Sequence, residues 1–173
     1  MSAEIPDPVE RALTNHDAFD REEEGYTLTT TVFDTDITVD EADGKRDGEF
    51  TVTVFLPTLD AAVADETVPT VVEDGWFETL ERRLADTFSV AQTDTHEPIR
   101  LERDVEEVRV ILEYLAWDGK AGVDDAKTLI EYVEGTFAQG IIPGYEYHGP
   151  AGALLNRATQ QGAEAGADDG TPL

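Results

Sequence analysis

Residues 49–56 alternate between two faces. Phe50, Val52, Val54 and Leu56 fall on one, Thr51 and Thr53 on the other, and Phe55 joins the second face near its end. A period of two over this length predicts a half-buried strand, and Pro57 stops it because proline cannot donate to a ladder. Phe55 predicts that the second face is partly covered. The alternation returns in EVRVILEYLAW, where Val108, Val110, Leu112 and Tyr114 oppose Arg109, Ile111, Glu113 and Leu115. EPIRLERD, just before it, reads as its partner strand. Near the N-terminus, Tyr26, Leu28 and Val32 are even, whereas Phe33, Ile37 and Val39 are odd. A one-residue slip exchanges the faces, so a bulge or tight turn near Asp34–Asp36 is expected, with two strands or one bent strand around it. Asp43-Gly44 and Asp47-Gly48 then mark a hairpin loop.

Elsewhere the apolar residues recur at helical spacing. Residues 6–16 predict a short helix, with Asp7 as cap, Pro8 in the first turn, and Val9 and Leu13 four apart; Phe19 continues that side into the following turn. Phe77, Leu80, Leu84 and Phe88 predict a helix over 74–88, its stripe widened by Trp76. Residues 58–73, between the first long strand and this helix, are apolar but carry no assignable period. Asp118-Gly119 is expected to turn the chain. Ala126, Leu129, Ile130, Val133 and Phe137 predict a helix from Gly122 or Asp124 to Gln139. Gly140 is placed as a left-handed cap and Pro143 as a stop. Pro150 opens a last short helix, with Leu154 and Leu155 docking. From about Gln161 the chain is Gly, Ala and Asp without an apolar period. The reading is one domain over 1–160 and a disordered acidic tail over 161–173.

Hairpins followed by helices predict an α+β two-layer fold, with a single, mainly antiparallel sheet and the helices packed on one face. The order of elements is similar to that of the secretion-chaperone-like fold.

Charge changes the picture most. Thirty-nine Asp and Glu face twelve Lys and Arg, a net charge of −27, and only Lys45, Lys120 and Lys127 are lysines. Such self-repulsion destabilises a compact state in dilute buffer. At molar salt the Debye length falls to about 3 Å and most of it is screened. An acidic, lysine-poor surface on an ordinary core therefore predicts a halophilic cytoplasmic protein. The acid is spread along the whole chain, which argues against a local mimic of nucleic acid or a single docking site for a basic partner. Without a basic patch, binding to a nucleic-acid backbone is not expected. No apolar run reaches the roughly 20 residues of a membrane span, and no signal-peptide pattern is visible, so no membrane association is expected.

Three blocks, GYTLTTTVFD (25–34), VPTVVEDGWFETLERRL (68–84) and DDAKTLIEYVEGTFAQGIIPGYEY (124–147), resemble a haloarchaeal family of small acidic proteins of unknown function. The resemblance spans about residues 5–158. It implies an archaeal, halophilic, cytosolic protein, and it implies no catalytic residue, cofactor or partner.

The residue inventory narrows the chemistry. With no cysteine there is no disulfide framework, thiolate metal site or cysteine nucleophile. No phosphate-binding glycine loop occurs, and the only serines, Ser2 and Ser89, lie in no nucleophile elbow. His16, His96 and His148 stand far apart, without metal-ligand spacing. Carboxylate pairs are expected by abundance alone; only Glu113, Glu134 and Glu146 have strongly apolar neighbours, and a solvated face explains each. Neither a cofactor nor a metal is expected. The densest mixture of aromatic, apolar and turn residues is Tyr132–Pro150. Its Tyr145, Tyr147 and His148, with Trp117, are the candidate binding residues, because aromatics near turns can anchor a partner. Trp76 belongs with these aromatics as a recognition candidate, but its helical spacing favours core. The expectation is a non-catalytic interaction or adaptor domain that pairs with a protein partner or with itself through a sheet face or edge. The alternative is a small-ligand binder or enzyme, with a pocket between the last helix, the Tyr145–His148 turn and the sheet.

Overall fold

The computed structural model describes residues 5–23, 25–42 and 47–157. Along the chain run α1 (Asp7–Thr14), β1 (Phe19–Arg21), β2 (Tyr26–Leu28), β3 (Asp34–Asp40), β4 (Gly48–Pro57), α2 (Leu59–Ala62) and α3 (Thr70–Leu84). A 3-10 turn at Thr87–Val90 follows, then β5 (Arg100–Arg103), β6 (Glu107–Ala116) and α4 (Gly119–Gln139). Residues 149–157 form a last helix, α5.

The six strands make one antiparallel sheet in the order β1-β2-β3-β4-β6-β5. Its spine is the β4–β6 ladder, which pairs from Gly48 opposite Ala116 to Pro57 opposite Glu107. The alternation read from the sequence sets which residues are buried: Phe50, Val52, Val54 and Leu56 meet Tyr114, Leu112, Val110 and Val108 across the ladder, and all eight are buried. Ile37 and Val39 of β3 extend the same face. α4 lies over it with Val123, Ala126, Leu129, Ile130, Val133 and Phe137 buried against the strands. The α+β architecture expected from the pattern is therefore present, with the helices on one side of the sheet.

The parity change near residue 33 is a chain reversal rather than a bulge. β2 ends at Leu28 and β3 begins at Asp34, with a turn between them. Glu134 of α4 holds this turn. Its Oε2 accepts the Thr31 hydroxyl and the Val32 N–H, and its Oε1 accepts from Arg157 of α5 at 3.2 Å. One side chain, 15% exposed, thus ties α4, the β2–β3 turn and α5 together.

Several boundaries differ from expectation, each for a local reason. α1 starts after Pro6 and carries no side-chain cap, so Asp7 sits in the first turn instead of capping. Phe19 belongs to a short edge strand, not a turn. α3 begins four residues earlier than its apolar stripe suggested, directly after Pro69, and ends at Leu84; Phe88 lies in the separate 3-10 turn. Part of the connector without a readable period is the one-turn α2, capped by the Thr58 hydroxyl. Asp118-Gly119 does not simply turn the chain: Asp118 caps α4, accepting the N–H groups of Lys120 and Ala121. Gly119 opens the helix against Pro8, whose backbone would lie 2.8 Å from an added Cβ.

Gly140 is not left-handed; its φ is −87°. The reversal falls at Pro143-Gly144, where Gly144 has φ +101°. What favours glycine at 140 is packing, since the indole nitrogen of Trp76 lies 3.1 Å from where a Cβ would stand and would have to give by a few tenths of an ångström. The Asp43-Gly44 half of the β3–β4 loop and the expected tail over 161–173 lie outside the described residues.

Candidate functional site

The aromatic turn after α4 is built from bonds to its own chain. The Tyr147 hydroxyl accepts the Ile142 N–H at 2.8 Å. Burial pushes that phenol above a tyrosine's ordinary value, against the lowering effect of the Ile142 bond. Tyr147 also bridges antiparallel to Val63, and the Ala64 N–H donates to the Glu146 carbonyl. His148 donates its backbone N–H to Ala62 O and its Nε2 proton to Ala61 O, at 2.9 and 2.7 Å. Tyr145 packs half-buried against the core. The turn therefore latches α4 and α5 onto the end of α2.

Trp117 is elsewhere. It is 58% exposed and follows β6 at the Ala116 end of the ladder. Val63, the partner of Tyr147, follows the other end of β4 by way of α2. Ten paired residues separate those ends, roughly 30 Å of strand. The fold brings Tyr145, Tyr147 and His148 into one turn and leaves Trp117 apart from them.

The histidines stay dispersed as well. His16 Nδ1 accepts the Ala18 N–H, and His96 stacks on Phe88 with ring centroids 3.9 Å apart. Among the described residues no group of three His, Asp or Glu is arranged to hold a metal ion. No helix of the described residues is long and apolar enough to cross a membrane.

Four concavities among the described residues stand out as candidates for binding. The largest, about 590 Å³, lies where β4 ends and β6 begins and reaches Pro150; it carries Asp34, Asp104, Glu106 and Glu107. It borders the last helix at Pro150, but Tyr145, Tyr147 and His148 do not line it. A groove of about 400 Å³ between α1 and the start of α4 carries Asp47, Asp118 and Asp124 beside Arg11 and Lys120. A small hollow of about 120 Å³ at the Thr95–Glu97 edge carries Glu49, Glu97 and Glu113. The fourth, about 320 Å³, runs between α3 and the end of α4 and is lined by no acidic residue. Of its defining side chains, Trp76 is an aromatic that the sequence marks for notice but reads as core, and Arg83 is not a candidate from sequence. Trp76 has the spacing of a core residue, and Arg83 is one of a pair of arginines on a polar face.

Two carboxylates, one buried and one half-buried, show how polar groups hold the fold. Asp125, 2% exposed, accepts the N–H groups of Gln92 and Thr93 at 2.7 and 2.9 Å. Its neighbour Tyr114 is completely buried; that burial, with the Asp125 charge adding to it, pushes the phenol well above its ordinary value. On α3, burial raises the Glu73 carboxyl above the usual range, aided by the nearby Asp60 charge. The Asp60 N–H, which donates to the Glu73 carboxylate, and Arg103 oppose that rise.

The fold and its sites define a two-layer α+β protein whose internal carboxylates serve as anchors for loops. The chain belongs to the family of unknown function DUF5813, whose model matches residues 14–157. No curated protein and no solved structure matches it.

Proposed function

We propose that the chain is a non-catalytic interaction domain of a halophilic archaeal cytoplasm, pairing with a second copy of itself through the sheet face that carries no helix. The carrying observation is the charge at the centre of that face. Thr38, Thr51, Thr53 and Ile111 stand together across β3, β4 and β6, all half-buried and all uncharged. Beside them the arginines are matched by glutamates, Arg100 to Glu113 at 2.8 Å and Arg109 to Glu102 at 3.6 Å. Asp36, opposite Thr53, adds one acid to the same face, and for a chain of net charge −27 the strip is still only weakly acidic.

A two-fold interface sets a patch against its own copy, so it forms where self-repulsion is least. A basic partner would instead be drawn to the acidic surface at large. Three strands of this length offer on the order of 500 Å² per copy, against about 800 Å² for a standard interface. The pairing is therefore weak and promoted by salt.

Sedimentation equilibrium in concentrated KCl tests this. Twice the chain's mass is expected at high protein concentration, with dissociation in dilute salt and in Ile111→Glu. A monomer under all conditions, or an Ile111→Glu variant that associates like the parent, overturns the reading.

A further inference from the structure

The groove between α3 and the end of α4 has three properties that none of the structural accounts above uses. Its lining contains no Asp or Glu, although acids make up 39 of the 173 residues, and each of the three other cavities described above carries at least three. Arg83 lines it, exposed and without a hydrogen bond or ion pair to any described residue, in a chain with only twelve Lys and Arg to set against its acids. Trp76 lines it as well, only 7% exposed, with no hydrogen-bond acceptor for its indole N–H among the described residues.

That N–H is not sealed in the core. Among the described residues the one fully buried side-chain nitrogen or oxygen without a hydrogen bond is Arg109 Nε, which meets Glu102 only as an ion pair at 3.6 Å; the Trp76 nitrogen, also without a hydrogen bond, is therefore not fully buried. The nitrogen sits beside Gly140, which also lines the groove. An edge-to-face contact with Phe137, centroids 5.9 Å apart, holds the ring in place. A buried indole normally finds an acceptor for its N–H. Here the acceptor has to come from a ligand or from water.

Trp76 and Arg83 are seven residues apart on one helix, two turns and about 10.5 Å along the same face. Helical side chains lean toward the N-terminus, so both do, and the longer reach of Arg83 carries its guanidinium further toward Trp76. Leu80 lies between them, and Ile141, Ile142 and Pro143 form the facing wall. The end of α4 places partial negative charge nearby, but the Phe137 carbonyl already accepts from Gly140 and the Ala138 carbonyl from Ile141. The volume is at the small end of the range for small-molecule sites.

We propose that this groove binds a small monocarboxylate with an apolar body. Arg83 and the Trp76 N–H hold the carboxylate, and Leu80, Ile141, Ile142 and Pro143 hold the body. Binding here is independent of pairing through the open sheet face, which lies on the other side of the sheet.

Amide and indole ¹H–¹⁵N spectra of the full chain in concentrated KCl provide the test, with phenylacetate and hexanoate as probes and phenylacetamide as the neutral control. Trp117→Phe assigns the Trp76 indole signal. A saturable shift of that signal is expected with at least one acid. Losing a charge-assisted bond should weaken binding by about tenfold, both for phenylacetamide and in Arg83→Gln. Arg83 is exposed, so the variant should melt with the parent and its loss of binding is not a folding defect. The proposal is overturned if neither acid moves the signal saturably, if acid and amide bind alike, or if Arg83→Gln binds like the parent.

Discussion

The hydroxyl of Tyr114, on the buried face of β6, donates to the carbonyl of Gly122 in α4 at 2.7 Å. The two residues set the distance between the helix and the sheet. Tyr114 stacks on Phe50 with centroids 5.0 Å apart, and an added Cβ on Gly122 would lie 2.4 Å from the Phe50 ring and 2.7 Å from Ala116 Cβ. Glycine costs a helix interior about 1 kcal/mol, and here it permits close packing. Gly122→Ala is therefore expected to destabilise by about 1–3 kcal/mol through overpacking. Gly135→Ala, in the same helix where an added Cβ meets nothing within 4 Å, is expected to stabilise by up to about 1 kcal/mol. Urea unfolding of both variants decides it; equal effects would remove the packing explanation.

The buried phenol makes stability depend on alkaline pH. An ordinary tyrosine ionises near 10.0, while Tyr114 in the folded protein holds its proton well above that. Above this pH the unfolded chain has lost a proton that the folded chain keeps, so stability falls as pH rises; below it the contribution is constant. Over that alkaline window the parent should lose up to about 1.4 kcal/mol per pH unit more than Tyr114→Phe. Denaturation midpoints measured from neutral to strongly alkaline pH provide the comparison, and parallel curves for the two proteins would refute it.

Asp125 anchors the segment after the 3-10 turn to α4. Asp125→Ala leaves two N–H groups, of Gln92 and Thr93, without their acceptor, and a loss of about 2–3 kcal/mol is expected. Asp125→Asn keeps one acceptor oxygen and should cost less. Amide exchange should accelerate at these two residues first. Exchange that stays slow there in Asp125→Ala would show that the carboxylate is not what holds the segment.

The charge of −27 predicts that the melting temperature rises steeply from dilute buffer to molar KCl. An unchanged melting temperature would rule out screening of self-repulsion as a source of stability.

The sequence by itself determined the sheet's two faces, the identity of the long helices and the sites of the major stops. Burial with period two in β4 and β6, and with period 3.6 in α4, is a local property of a chain that must hide one side of each element. It also determined the charge, and with it the salt dependence expected of the protein. Contacts between elements distant in sequence decided the rest. α3 begins at Thr70, four residues ahead of its apolar stripe, in the turn where Glu73 takes the Asp60 N–H of α2. Glycine at 140 is favoured by the close approach of Trp76 on another helix, and not by a left-handed backbone. Glu134 reads as one more acid on a helix until the fold brings Thr31, Val32 and Arg157 to it. Tyr147 and His148 carried the strongest local signal, yet their polar atoms close a turn, whereas the groove at Trp76 and Arg83 draws on two helices and a loop. No window of sequence contains such a surface; it exists only where packing sets those segments side by side.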